Sequence, residues 1–331
     1  MRIAVLTNAY PPMKGGASRI AELHVQMLEA AGHEVRVFRP DTAWFRYPAP
    51  IRVCFHLLDL LSNRTFVDKV IGWHPEVLLT HNLTGCGFGT PSAIQSERTR
   101  WIHVLHDVQL FQPDGRLRDP QPITQWQKLW GGLRARVLGK PDLVISPTGW
   151  LLEQHKRRGF FLDTRAEVLP NPAPEISFAL RAPSQPLKLF FLGHTPDKGI
   201  ELVKKLQKRI ADPIHIITQA PNEEVLEAMR EADVMLFPSQ IAENQPVVLL
   251  EAMSLGLPVI ASDVGGVRET LKGAGLLVQR DDVDAWVLAI NRLRDPEEYR
   301  EQTTMMYERA KEYDAEKYAH QLLALIASPQ T

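Results

Sequence analysis

The chain has 331 residues, of which 44% are hydrophobic and 23% charged, with a formal net charge of −1. This is ordinary for a globular protein with room for two domains of about 150–170 residues. It gives no electrostatic case for a nucleic-acid partner. Cys54 and Cys86 show neither metal-ligand spacing nor a disulfide framework, so a reducing cytoplasm is the expected setting. The opening Met1–Pro12 reads as a strand rather than a secretory leader, and no apolar run reaches the roughly 20 residues of a membrane span.

Ile3–Leu6 predicts a buried strand. It leads into Asn8-Ala9-Tyr10-Pro11-Pro12-Met13-Lys14-Gly15-Gly16, and helical periodicity continues through Ile20, Leu23, Val25 and Leu28 to Gly32. With a strand at Val35–Phe38 this makes a βαβ unit whose glycine-bearing loop lies at a strand's carboxyl end. Gly15 and Gly16 would let the backbone approach a diphosphate closely; a simple tight turn is the alternative. No G-x-G-x-x-G is present, so a dinucleotide cofactor is not indicated. Further strands are predicted at Val77–Thr80, Ile102–Leu105 and Leu143–Ser146, ending in His81-Asn82, His106-Asp107 and Pro147-Thr148-Gly149. In a parallel sheet such clusters share one edge. A histidine beside a carboxylate there can bond sugar hydroxyls or carry a proton, with a purely structural histidine as the alternative.

In Leu110–Lys140, Trp126, Leu129, Trp130, Leu133 and Val137 form an apolar stripe beside Lys128, Arg134, Arg136 and Lys140. The stripe is expected to pack on the sheet; the competing role is contact with an anionic membrane surface. Gly131-Gly132 weighs against an uninterrupted helix. His155-Lys156-Arg157-Arg158 reads as a solvated face. The proline-rich stretch from Val168 to Pro186 predicts a division into a first domain at 1–172, a linker at 173–187, a second domain at 188–311 and a closing segment at 312–331. The final helix, Ala315–Ile326, is expected to cross back to the first domain.

Leu187–Leu192 starts the second domain and runs into Gly193-His194-Thr195-Pro196-Asp197-Lys198-Gly199, then a helix through Leu202, Leu206 and Ile210. A lysine after a strand–glycine turn is placed to neutralise a diphosphate; a solvent-exposed turn lysine is the bland alternative. One strand–helix unit, Ile214–Thr218 and Glu223–Glu231, precedes Val234–Gly266. There a buried strand ends at Pro238-Ser239, a loop carries Glu243-Asn244-Gln245-Pro246, and a helix runs on through Val247, Val248, Leu250, Ala252 and Met253. Pro246 fits that helix's first turn, so Glu243 sits just before a helix N-terminus. Glu251, about two turns on, lies on roughly the same side, and two such carboxylates could grip two ends of a polyhydroxylated ligand. Val259–Ala261 then ends at Gly265-Gly266. Asp282-Val283-Asp284 precedes a helical run, so an N-cap is expected there and no obligatory metal.

Glu243 and Glu251, with seven residues between them inside FPS…E…P…LEAM…G.PVIAS..GG, closely resemble the signature of retaining nucleotide-sugar glycosyltransferases of family 4. The Pro11-Pro12-x-x-Gly15-Gly16 and Lys198-Gly199 loops match that family as well, so the resemblance covers nearly the whole chain. It implies an α/β protein of GT-B type: two Rossmann-like doubly wound domains facing a central cleft. His106, Lys198 and Glu243 would be catalytic. The donor would be bound by Gly15, Gly16, Gly193, His194, Lys198, Glu243, Asn244, Gln245, Pro246, Val247 and Glu251, and Asn82 and Asp107 would lie on the acceptor side. The partners implied are a nucleotide-diphosphate sugar and a hydroxyl acceptor (a glycan, a lipid-linked or a small molecule). No cofactor or metal is implied, and a peripheral place at the inner face of the membrane would suit such an acceptor. A sugar-phosphate donor and a non-catalytic nucleotide-sugar-binding subunit are the alternatives. The chain departs from the family pattern where His194 replaces the usual arginine, giving up a fixed bidentate phosphate clamp. The second domain is also shorter by one βα unit.

Overall fold

The computed structural model describes residues 1–13, 15–40, 48, 51, 57–95, 99–112, 115–118, 122–176, 178, 180 and 182–328. Lys14 and Cys54 lie outside them. The chain forms two compact units, one from Met1–Arg116, Pro122–Leu169 and Ala319–Thr331, the other from Leu117–Gln121 and Pro170–Tyr318.

The first unit runs β1 (Arg2–Leu6), α1 (Gly16–Ala30), β2 (Glu34–Phe38), α2 (Arg64–Ile71), β3 (Val77–Thr80), α3 (Thr90–Gln95), β4 (Arg100–Val104), α4 (Gln125–Leu138), β5 (Leu143–Ser146), α5 (Gly149–Lys156) and β6 (Ala166–Val168). Its strands form a parallel sheet in the order β2-β1-β3-β4-β5-β6. Ile3–Leu6, Val77–Thr80 and Leu143–Ser146 are buried throughout, as expected where helices cover both faces of a parallel sheet. Register sets Leu6 opposite Phe38 and Thr80, and Thr80 opposite His103, so the loops after β1, β3 and β4 leave along one edge.

α4 runs through Gly131 and Gly132 without a break. Two helical glycines cost about 1 kcal/mol each, and the capping box formed by Thr124 and Gln127 offsets part of that. The predicted packing of the apolar stripe is wrong. Trp130, Gly131, Arg134 and Leu138 face inward, while Trp126, Leu129 and Leu133 face outward and Val137 is half-buried. The reason is Arg134: its guanidinium donates to the carbonyls of Gln109 and Leu110 and lies over the Phe88 and Trp130 rings, which pulls the polar side of the helix inside.

The second unit runs β7 (Leu189–Leu192), α6 (Ile200–Leu206), β8 (Ile214–Ile217), α7 (Asn222–Glu231), β9 (Val234–Phe237), α8 (Val247–Ser254), β10 (Val259–Ser262), α9 (Val267–Leu271), β11 (Leu276–Val278), α10 (Val283–Arg292) and α11 (Pro296–Lys311), and then comes α12 (Ala315–Ala327). Its parallel sheet has the order β11-β10-β9-β7-β8. Between α6, which follows the Lys198 loop, and β9 the chain holds one strand–helix unit, β8 and α7, as the sequence predicts.

The proline-rich stretch is not a free tether. The unit boundary falls after Leu169, and the residues from Pro170 onward are laid onto the second unit. The Ala173 N–H donates to the Tyr313 carbonyl at 2.8 Å, the Ser254 hydroxyl to the Pro174 carbonyl at 2.7 Å, and Phe178 stacks on Tyr307. The end of α12 belongs to the first unit, where Arg100 of β4 donates to the Ile326 carbonyl at 2.6 Å. Among the described residues no helix is long and apolar enough to cross a membrane.

Candidate functional site

In the second unit the first strand, β7, lies between β8 and β9. Strand order reverses there, so the loops after β7 and β9 leave the sheet in opposite directions and open a crevice between their tips, the place where open α/β sheets bind ligands. Lys198 lies on the loop after β7 and Glu243 on the loop after β9. Their side chains meet, with Lys198 Nζ 2.6 Å from Glu243 Oε1, and the Ser239 hydroxyl donates to the same oxygen at 3.1 Å. Two residues 45 positions apart are thus brought together by sheet topology.

Glycines make this approach possible. Gly199 has φ +89°, and a Cβ there would lie 2.0 Å from the Pro238 carbonyl oxygen. Gly265 has φ +56°, and its Cβ would lie 2.2 Å from the carbonyl oxygen of Glu243, which in turn accepts the Gly266 N–H at 2.8 Å. The Gly265-Gly266 turn therefore clamps the backbone of Glu243. Gly265→Ala is expected to cost about 2 kcal/mol or more, from backbone strain plus the clash. Chemical denaturation checks it, and an unchanged midpoint would contradict it.

Pro246 is the N-cap of α8 rather than its first helical residue, with φ −65° and ψ 121°. The first turn carries no acidic residue of its own, and its opening amides, at the positive end of the helix dipole, favour an anion. Asn244 and Val247 are half-buried. Gln245 points inward, its Oε1 accepting the Asn171 N–H at 2.6 Å. Glu251 is only 2% exposed and is engaged within the fold. Gly193 is buried, and exposed His194 has Nδ1 3.2 Å from the Thr218 carbonyl oxygen, so that nitrogen carries the hydrogen and donates. Asp282 accepts the Ala285 N–H at 2.9 Å and caps α10, while Asp284 pairs with Arg209 at 2.5 Å.

In the first unit, Gly15 caps α1 at φ +134°, with nothing within 4 Å of where its Cβ would stand, and Gly16 is the first helical residue. At the ends of β3 and β4 the sequence neighbours His106 and Asp107 take different partners. Asp107 accepts from Asn82 Nδ2 at 3.0 Å and from the Gln109 N–H at 2.8 Å, and burial raises its carboxyl above the usual range despite those donors. His106 Nε2 instead lies 2.7 Å from His81 Nδ1, and the two rings stack. The other ring nitrogen of His81 is buried without a hydrogen-bond partner among the described residues. An under-used acceptor is better tolerated in a protein interior than an orphaned N–H. His81 is therefore assigned its hydrogen on Nδ1, donating to His106. Burial lowers the pKa of His106 to about 4, so it is neutral near pH 7 and serves as a hydrogen-bonding group rather than a cation.

Sequence reasoning misses three members of this environment. His24 is fully buried against His81, ring centroids 5.2 Å apart, and its spacing with Ile20 and Leu28 on the apolar side of α1 is the available signal. Arg134 shares the i, i+4 spacing of Trp130 and Leu138. Ser239 closes the strand run that leads to Glu243, a place where a serine reads as punctuation only.

Two family models match the chain. Residues 14–175 match Glycosyltransferase Family 4 and residues 156–295 match Glycosyl transferases group 1, so that together they reach from 14 to 295. The chain is similar to a D-inositol 3-phosphate glycosyltransferase of Corynebacterium urealyticum, 30% identical over 159 residues, a stretch covering 46% of this chain and 37% of that protein. It thus spans well under half the length of that curated relative. Its fold is similar to that of a sucrose-phosphate synthase from Thermosynechococcus elongatus, with a TM-score of 0.76, 19% identity and 98% of each chain covered. It is also similar to that of Anabaena HepE solved in complex with UDP-glucose, with a TM-score of 0.67, 15% identity, and 99% and 100% covered. The chain is a glycosyltransferase with a GT-B α/β fold, and it belongs to glycosyltransferase family 4, the group 1 glycosyl transferases.

Proposed function

We propose that the protein transfers a sugar from a nucleotide-diphosphate sugar to a hydroxyl acceptor with retention of anomeric configuration. The observation that carries this is the Lys198–Glu243 pair at the switch point of the second sheet. The lysine side chain is 44% exposed, and an ion pair so open to water is worth no more than about 1 kcal/mol. A diphosphate carries more charge than one carboxylate, so it can draw the ammonium away at little cost. Glu243, released but still held by Ser239, then has an acceptor oxygen for sugar hydroxyls.

Glycosyl transfer passes through an oxocarbenium-like state while negative charge grows on the departing diphosphate. Lys198 and the opening amides of α8 are assigned to that charge, with the Gly15 and Gly16 backbone as a further phosphate contact. Neutral His106, oriented by His81, is assigned to a donor-sugar hydroxyl, and Asn82 and Asp107 to the acceptor. Asn244, Pro246, Val247, Gly193 and His194 border the donor site. Gln245 acts as a brace for Asn171, and Glu251 reaches the ribose by exchanging its present engagement within the fold. No side chain is assigned as general base, since the leaving phosphate can take the acceptor's proton. Neither a cofactor nor a metal enters this scheme, so activity should persist in EDTA. The free, buried Cys86 thiol fits a reducing cytoplasm.

The HepE complex with UDP-glucose supports a nucleotide-sugar donor by analogy of fold. A screen of nucleotide sugars against sugar phosphates, read by released nucleoside diphosphate with hydrolysis as background, tests the proposal. Turnover with a nucleotide sugar and a product of unchanged anomeric configuration is expected. Turnover with sugar phosphates alone, or an inverted product, would overturn it.

A further inference from the structure

The outward side of α4 is unlike a solvated helix face. Trp126, Leu129 and Leu133 are 63%, 70% and 44% exposed. With Arg136 they fall within about 80° of one another around the helix axis. Trp126 stacks on the buried Trp130 with ring centroids 5.6 Å apart, so the exposed indole is held in place rather than left to swing. The neighbouring turn at 57–61 adds Leu57, Leu58 and Leu61, all more than half exposed. That turn and α4 are stitched together through Phe88, whose N–H donates to the Asp59 carbonyl at 2.7 Å and whose ring lies under the Arg134 guanidinium at 4.4 Å. Exposed large hydrophobics elsewhere among the described residues stand singly along the chain and need no explanation.

Charge identifies the occupant. Between Asp119 and Asp142 the sequence holds Lys128, Arg134, Arg136 and Lys140 and no acidic residue, in a chain whose net charge is −1. Arg134 is used inside the fold, which leaves Lys128, Arg136 and Lys140 exposed on the helix and just past its end, Arg136 within the apolar stripe. A second copy of the chain is disfavoured, because a symmetric dimer would set like charges against each other. A tryptophan-bearing apolar stripe flanked by cations, on a helix of 14 residues, suits a helix lying in the plane of an anionic interface rather than one crossing it.

We propose that α4 and the 57–61 turn dock the first unit on an anionic lipid surface, with Trp126, Leu129 and Leu133 entering the headgroup boundary and Lys128, Arg136 and Lys140 facing lipid phosphates. The partner is the bilayer itself, whatever acceptor the enzyme uses, so the inference stands apart from the donor assignment.

The test is flotation of the full chain with phosphatidylcholine vesicles made with and without phosphatidylglycerol. The protein should float with the anionic vesicles only, and less so as salt rises. A Trp126→Ser/Leu129→Gln pair and a Lys128→Gln/Arg136→Gln pair should each weaken partition about tenfold or more, with thermal melting unchanged for the charge pair and only slightly lowered for the tryptophan pair, which loses its stacking on Trp130. Three results would overturn the proposal. They are parent protein that stays at the bottom of the gradient with anionic vesicles, either paired variant floating like the parent, and a dimer in light scattering that Trp126→Ser/Leu129→Gln abolishes while no vesicle binding occurs.

Discussion

Lys198→Ala is expected to lower kcat by about two to three orders of magnitude, the usual loss when one preorganised group that stabilises developing negative charge is removed. The fold should be almost indifferent to the change. The Lys198 side chain is 44% exposed, and its ion pair with Glu243 contributes at most about 1 kcal/mol. The loop around it is held by other contacts: the Gln240 N–H on the Asp197 carbonyl at 2.7 Å, and Gly199 against Pro238. Lys198→Arg keeps the charge but replaces a compact ammonium with a planar fork, so partial recovery is expected. Steady-state release of nucleoside diphosphate, with melting curves for each variant, separates chemistry from folding. Near-parent turnover in Lys198→Ala would remove Lys198 from the mechanism.

Acid should unfold the first unit well before most globular domains fail. His24 and His103 are held down to about 3, His106 and His155 to about 4, and His81 well below the usual range, in each case chiefly because burial penalises the charged ring. In the unfolded chain each histidine returns to about 6.5. The unfolded state therefore binds more protons than the native state from about pH 6.5 down to the lowered values, and stability falls as pH falls through that window. Each histidine contributes up to about 1.4 kcal/mol per pH unit. Asp59 and Asp107 act in the opposite sense. Burial raises both, Asp59 to about 6, so the native state binds their protons first and gains stability on acidification. Five histidines outweigh two carboxylates. Chemical denaturation between pH 7 and 4 should show a steep loss, and His24→Gln, which removes one titrating ring, should make it shallower. A flat profile over that range would contradict the buried, neutral histidine cluster.

Much of the fold is legible in the sequence because buried parallel strands are unbroken apolar runs and the chain marks their ends with glycine, proline and short polar clusters. Ile3–Leu6, Val77–Thr80 and Val234–Phe237 come straight from such runs. Lys198 and Glu243 are legible as loop residues next to special backbone. That they touch is not, because contact depends on β7 lying beside β9, which local pattern does not encode. His106 and Asp107 look like a pair because they are adjacent in sequence. Past the end of β4 their side chains diverge, so one meets His81 and the other Asn82. The inward face of α4 escapes a hydropathy reading because such a reading treats arginine as outward. Arg134 is 1% exposed, its charge met by backbone carbonyls and aromatic faces that come from distant segments.

Calorimetric titration of a panel of nucleoside diphosphates into the parent and Lys198→Ala, with the matching nucleosides as controls, bears most directly on the crevice between β7 and β9. Losing a charged hydrogen bond of about 1.5–3 kcal/mol should weaken the preferred diphosphate about tenfold or more and leave the nucleoside unchanged. Equal affinity of parent and variant for that diphosphate would show that the leaving group is held elsewhere.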